Sequence, residues 1–388
     1  MSATNGSLRS RSRLIGLALA VVFALSALFA TAAGATTIPI KEKYLALGDS
    51  LAFGYSQQLF NEHLPAPPPT AFERGYAFYY ASLKKFKAEG LQIVNNGCPG
   101  ETTDSLIGNG PLGSVLDPVE GESPCAYHKV GLGLHNEYGG TKSQLESALE
   151  VIGVAAAHGT PVTTISLNIG ANDELHAIAK CKAEVQHEYE TEGKSKYGAT
   201  PEAAVKGCIE AHVEALFGHI LHNIGSILFT LRNGSLFGSV NYTGKIIFQG
   251  GYDPYGRVYK TAEEVTAAQA IGPQFKEAHL GELLTGSIGL AALLNFHEQK
   301  LVTDEGAEAA AEGHEAFKGC FVNPETNAVA ATTFNPGLPK EAGLLGTLQK
   351  YTNMNNQTSS NGQPNGPDIH PTPVGYKRLG QLMFAGCG

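Results

Sequence analysis

Tyr44-Leu45-Ala46-Leu47-Gly48-Asp49-Ser50-Leu51 carries a short apolar run into a glycine and then into two residue types that cap helices. An apolar run of this length, closed by a polar turn, reads as a strand buried on both faces. Three later segments read the same way: Gln92 to Val94, Val162 to Ile169 and Lys245 to Phe248, each ending in a polar, glycine-containing loop. Helical stretches lie between them, among them Ala77 to Ala88 and Ser143 to His158. Alternating strands and helices predict an α/β chain with a parallel sheet covered on both faces. In such sheets functional residues gather just beyond the carboxyl ends of the strands.

Three strand-end blocks and one terminal block carry residues suited to chemistry. The first strand puts Ser50 on a tight turn beside Gly48; taken alone, Asp49 and Ser50 are also ordinary helix caps. The second ends in Asn95-Asn96-Gly97-Cys98-Pro99-Gly100-Glu101-Thr102, and the third in Ile169-Gly170-Ala171-Asn172-Asp173. A glycine N–H and an asparagine amide are suitable donors for the oxyanion of acyl transfer, although Asn and Gly are also the commonest turn formers. Near the carboxyl terminus, Asp368-Ile369-His370-Pro371 precedes a helix predicted over Val374 to Phe384. A histidine there can take a serine proton and return it to a leaving group.

In their order, the four blocks resemble the signatures of the SGNH (GDSL-type) hydrolase family, over about Tyr44 to Leu382. The resemblance implies a flavodoxin-like three-layer α/β/α sandwich and ester hydrolysis without metal or cofactor. It also implies Ser50 as nucleophile, His370 as general base, and an oxyanion hole of the Ser50 N–H, the Gly97 N–H and the Asn172 side chain. The chain departs from the family at its end. The usual block is D-x-x-H, whereas Asp368 stands two residues before His370 and Pro367 occupies the third position back. Asp368 can still orient the imidazole, because residues i and i+2 share a side of extended chain. A backbone carbonyl from the loop at Asn356 to Pro367 is the competing orienter. His219 and His222, spaced i and i+3 on a predicted helix, are a metal pair in principle, but no acidic ligand is evident nearby and they read as polar helix residues.

The amino terminus reads as an export signal. Arg9, Arg11 and Arg13 precede an apolar run from Leu14 to Ala30, and Ala33-Gly34-Ala35 offers a small-residue cleavage pattern. Residues 1–35 are then a removable signal peptide, 36–388 the exported hydrolase domain, and the location extracellular. The formal net charge of −9 argues against nucleic acid as a partner, and losing three arginines makes the exported part more acidic still. All 6 cysteines (Cys98, Cys125, Cys181, Cys208, Cys320 and Cys387) follow the signal, and an even number in an exported chain predicts disulfides. The neighbour pairing 98 with 125, 181 with 208 and 320 with 387 is favoured, because the first two pairs close loops of moderate length.

Insertions are expected at about 174–240 and 256–365. The first holds a helix from Cys208 to Leu231 with one continuous apolar stripe, preceded by a polar excursion from Glu184 to Thr200 closed by Cys181 and Cys208. It is a candidate cap over the site. The second has helical candidates at Thr261 to Ala270 and Gly281 to Val302 and no further fold assignment. The resulting expectation is a monomeric secreted esterase or lipase acting on a small-molecule or lipid ester, with transient contact to lipid surfaces. A carbohydrate O-deacetylase or O-acyltransferase would use the same residues. A catalytically silent binding module should have lost one of Ser50, Gly97, Asn172 and His370, and all four are present.

Overall fold

Strand β1 (Glu42–Gly48) buries Tyr44, Leu45, Ala46 and Leu47 completely, and its period of two divides them between opposite faces. Leu45 and Leu47 enter one apolar cluster, while Tyr44 and Ala46 enter another. A strand wetted on neither face belongs in the interior of a covered sheet, and there the computed structural model places it, between two neighbours. The model describes residues 39–85, 89–108, 131–138, 142–251, 298–304, 318–322, 324, 352–353 and 368–388.

The sheet has five strands, with β2 (Leu91–Asn95), β3 (Val162–Asn168), β4 (Lys245–Gln249) and β5 (Lys318–Val322) in the order β2-β1-β3-β4-β5. All four pairings are parallel. This is the flavodoxin-like order, and its switch point falls between β1 and β3. One face carries α5 (Gln144–Ala157) and α7 (Pro201–Arg232) through a cluster that includes Leu149, Ile152, Ile220 and Ile224. The opposite face carries α3 (Tyr76–Lys85) and α8 (Pro373–Cys387), where Tyr80, Tyr376, Leu379 and Met383 pack on Tyr44 and Ile247. The result is a three-layer α/β/α sandwich. Short helices α1 (Ser50–Phe53), α2 (Gln57–Glu62) and α4 (Thr103–Ile107) line the carboxyl edge of the sheet, and α6 (Ala171–Glu192) leaves it after β3. A separate antiparallel pair, β6 (Thr352–Asn353) with β7 (Asp368–Pro371), brings the carboxyl-terminal segment to the same edge.

Several expected elements change on inspection. The excursion expected over Glu184 to Thr200 is helical as far as Glu192, because α6 continues unbroken from Ala171 and turns only at Gly193, which adopts φ +69°. Its buried residues are Asp173, Cys181 and Val185, so no apolar stripe advertises the helix. Helix α7 begins at Pro201, seven residues before the apolar pattern starts at Cys208, with Thr200 capping it. Strand β5 lies in the second insertion, where no strand was expected. The candidates at Thr261 to Ala270 and most of Gly281 to Val302 lie outside the described residues, although 298–304 are helical.

Disulfides join Cys181 to Cys208, tying α6 to α7, and Cys320 to Cys387, tying β5 to α8. Cys98 is disulfide-bonded, and Cys125 lies outside the described residues. The chain from Ile40 to Gly388 forms one compact unit. Among the described residues no helix is long and apolar enough to cross a membrane.

Candidate active site

Gly48 closes β1 at φ +130°, and a Cβ there would lie 2.0 Å from the Asn168 carbonyl oxygen at the end of β3. Only glycine fits, and the crossing lets the Asp49 N–H donate to that carbonyl at 3.1 Å. Asp49 then caps α1, its carboxylate accepting the Leu51 N–H at 2.9 Å. Ser50 is therefore the first residue of a helix whose opening N–H groups have no partner within the helix.

His370 arrives from β7, 320 positions away, and its Nε2 lies 2.8 Å from Ser50 Oγ. Asp368 and His370 share a side of the strand, as their i, i+2 spacing requires, and His370 Nδ1 lies 2.5 Å from Asp368 Oδ1. The same oxygen accepts the His370 backbone N–H at 3.0 Å, and Oδ2 accepts the Gln57 N–H at 2.9 Å. Asp368 is thus buried with both oxygens engaged, and Nδ1–H pointing at it leaves Nε2 as the acceptor of the serine proton. The Tyr55 ring meets the imidazole edge-on at 4.9 Å, and Tyr376 Oη holds the Tyr55 carbonyl at 2.8 Å. The loop expected to supply a competing carbonyl, Asn356 to Pro367, lies outside the described residues.

The expected oxyanion donors are only partly brought together. Gly97 does not fit the part: its N–H donates to Asn95 Oδ1 at 2.9 Å, and a Cβ there would meet Phe53 N at 2.6 Å. Glycine at 97 serves close packing against α1. Three residues on, Gly100 adopts φ +82° and its N–H has no acceptor among the described residues. Asn172, half-buried at the start of α6, donates its amide to the Glu101 carbonyl at 2.8 Å, which holds it against this turn.

Four groups that the sequence did not single out organise the site. Gln144 Oε1 accepts the Gly48 N–H at 2.5 Å, while its Nε2 donates to the Gly48 carbonyl at 3.0 Å and to Glu101 Oε2 at 3.1 Å. Gln57 and Gly100 complete the set with Glu101. Gly100 and Glu101 stand in the block already read as functional, so that block held the signal; a polar residue in the first turn of α5 or α2 carries none.

Buried carboxyls crowd beneath the serine. Burial pushes Asp49 up to about 7, the Leu51 N–H and His370 opposing it and Asp173 adding to it. Burial likewise raises Glu101 to about 7 and Asp173 to about 6, the latter against hydrogen bonds from Thr103. His219 does not pair with His222, which is exposed; its Nε2 lies 2.7 Å from Asp104 Oδ2. The metal-type cluster among the described residues, Cys181, Cys208 and His212, has both sulfurs in a disulfide.

The chain matches no family model and no curated protein. Among solved structures, it is similar to an acetylxylan esterase from Geobacillus stearothermophilus, at 12% identity and a TM-score of 0.39 over 91% of this chain and 97% of that one. It is also similar to a GDSL-like lipase from Parabacteroides merdae, at 12% identity and a TM-score of 0.37 over 90% and 97%. An α/β hydrolase from the metagenome of Lake Arreo, Spain, matches at 12% identity and a TM-score of 0.32 over 90% and 95%.

Proposed function

We propose that this chain is a secreted serine esterase of the SGNH type, hydrolysing carboxylic esters of small-molecule or lipid substrates through an acyl-enzyme on Ser50. The observation that carries the reading is the continuous Asp368–His370–Ser50 chain of hydrogen bonds at the carboxyl edge of the sheet. Nucleophile, base and orienter in this arrangement define an activated serine whatever the fold.

In this reading each step uses a named atom of the triad and its neighbours. Ser50 Oγ attacks the ester carbonyl as its proton passes to His370 Nε2, and Asp368 stabilises the imidazolium that forms. The carbonyl oxygen becomes an oxyanion, for which the Ser50 and Gly100 N–H groups and the Asn172 amide are the donors in this reading. His370 then protonates the departing alkoxide, leaving an acyl group on Ser50. Water, deprotonated by the same nitrogen, attacks the acyl carbonyl and releases the acid and the free serine. Export is supported by the basic, apolar and small-residue order of residues 1–35 and by the two disulfides.

Ser50→Ala is the direct test, read with p-nitrophenyl esters of increasing acyl length. Turnover should fall by several orders of magnitude, as it does when a triad nucleophile is removed, with the fold intact by circular dichroism. Hydrolysis by the folded variant at anything near the parental rate would end the reading. The chain-length profile of the parent separates an acetyl-selective enzyme from one that takes long acyl chains.

A further inference from the structure

Helix α7 packs a long apolar stripe against the sheet, and two polar side chains one turn apart interrupt that packing. His219 Nε2 lies 2.7 Å from Asp104 Oδ2, and Asn223, fully buried, donates to Asp104 Oδ1 and to Thr103 Oγ1, both at 3.0 Å. Thr103 passes the contact on: its hydroxyl donates to Asp173 Oδ1 at 2.6 Å and its N–H to Asp173 Oδ2 at 3.0 Å. Asp173 is the neighbour of Asn172, whose amide is held on the Glu101 carbonyl at 2.8 Å. A buried polar chain of this kind is costly relative to apolar packing unless every link is made, and its gain is a single defined arrangement. Removing its α7 end leaves the Asp104 carboxylate without the His219 and Asn223 donors and Thr103 Oγ1 without the Asn223 amide.

We propose that His219 and Asn223 are positioning residues for the oxyanion hole, acting through Asp104, Thr103 and Asp173 on the Asn172 amide. The proposal rests on the esterase reading. It gives the first insertion a role in turnover: α7 braces the donor from behind. A brace of this kind acts on the transition state, where the oxyanion exists, and leaves ground-state binding of the ester alone.

The test is a double-mutant cycle on p-nitrophenyl acetate, with kcat expressed per serine labelled by a fluorophosphonate, so that misfolded molecules are not counted. His219→Leu and Asn223→Ala are each made in the parent and in Asn172→Ala. In the parent, each should lower kcat by about tenfold or more, within the ~10²-fold that small misplacements cost, with KM little changed. In Asn172→Ala, the same substitutions should cost less than about threefold, since the group they position is gone. His219→Gln, which keeps an N–H for Asp104, should restore most of the parental kcat. An equal fall in both backgrounds, a fall in the labelled fraction alone, or parental kcat in both α7 variants would overturn the proposal. An inactive parent or a fully active Ser50→Ala would overturn the esterase reading instead, and those outcomes appear in separate arms.

Discussion

Gln144 grips the Gly48 peptide from both sides, accepting its N–H at 2.5 Å and donating to its carbonyl at 3.0 Å across 96 positions of sequence. The glycine that ends β1 thus has both polar groups bonded by one side chain at the start of α5, its carbonyl also accepting the Cys98 N–H at 3.0 Å. Two residues later comes Ser50, so the same contact sets the direction of the nucleophile. Gln144→Leu keeps the volume and removes the side-chain acceptor of the buried Gly48 N–H, while the Gly48 carbonyl keeps the Cys98 N–H at 3.0 Å. The cost should be about 1–3 kcal/mol, the penalty of one unsatisfied buried group. Chemical denaturation measures it, and a variant within 0.5 kcal/mol of the parent, the ~0.5 kcal/mol range of a neutral surface change, would show that water replaces the amide.

The aspartate two residues before the histidine yields a comparison of Asp368→Asn with His370→Ala on one soluble ester. Both Asp368 oxygens accept hydrogen bonds, so asparagine presents one N–H group to a donor and loses the charge that stabilises the imidazolium. Turnover should drop by about 10⁴-fold, the size found for the corresponding change in a serine protease. A loss below about tenfold would mean that another acceptor orients the ring, a distinction the ~10⁴-fold expectation makes easy to read. His370→Ala should be nearly inactive in either case.

Asn172→Ala tests the oxyanion donors directly. The amide contact with the developing oxyanion exists mainly in the transition state, so turnover should fall by about 10²- to 10³-fold with little change in KM. A raised KM at parental turnover would make Asn172 a substrate-binding residue.

Glu101 gives the pH dependence. Burial first, then Asp49 and Asp173, lift its carboxyl from 4.5 to about 7, against hydrogen bonds from Ser105 and Gln144. Unfolded chain releases this proton near the ordinary value, whereas the folded protein keeps it until about 7. Across that window the unfolded state binds fewer protons, so this group makes stability fall as pH rises, and its full penalty stands above the upper limit. Glu101→Gln removes the titration. Melting curves of parent and variant should therefore diverge between pH 5 and 8 in the variant's favour, the direction set by the cited shift. Parallel curves, or divergence toward acid, would mean that the folded protein does not hold Glu101 above its ordinary value.

What the chain carried in readable form is whatever depends on near neighbours. Four sheet strands showed as β-rich apolar runs. Ser143, where a helix was expected to begin, caps α5 through a local hydrogen bond. Asp368 and His370 share a side by the period of a strand, so their 2.5 Å contact was legible from spacing. The order of the blocks singled out Ser50 and His370, although their 2.8 Å contact joins residues 320 positions apart.

Tertiary structure alone decided the partners of the remaining groups. Gly97 and Gly100 are alike as letters. Packing against Phe53 and the side chain of Asn95 occupy one, and the turn at φ +82° leaves the N–H of the other open. Helix α6 hid because it buries one narrow side, and its disulfide partner on α7 supplies what an apolar stripe would have. His219 read as a polar helix residue, and only the packing of α7 across α4 set it against Asp104, 115 positions earlier. A hydrogen bond is directional and reaches about 3 Å, so which donor meets which acceptor is fixed only when distant elements pack.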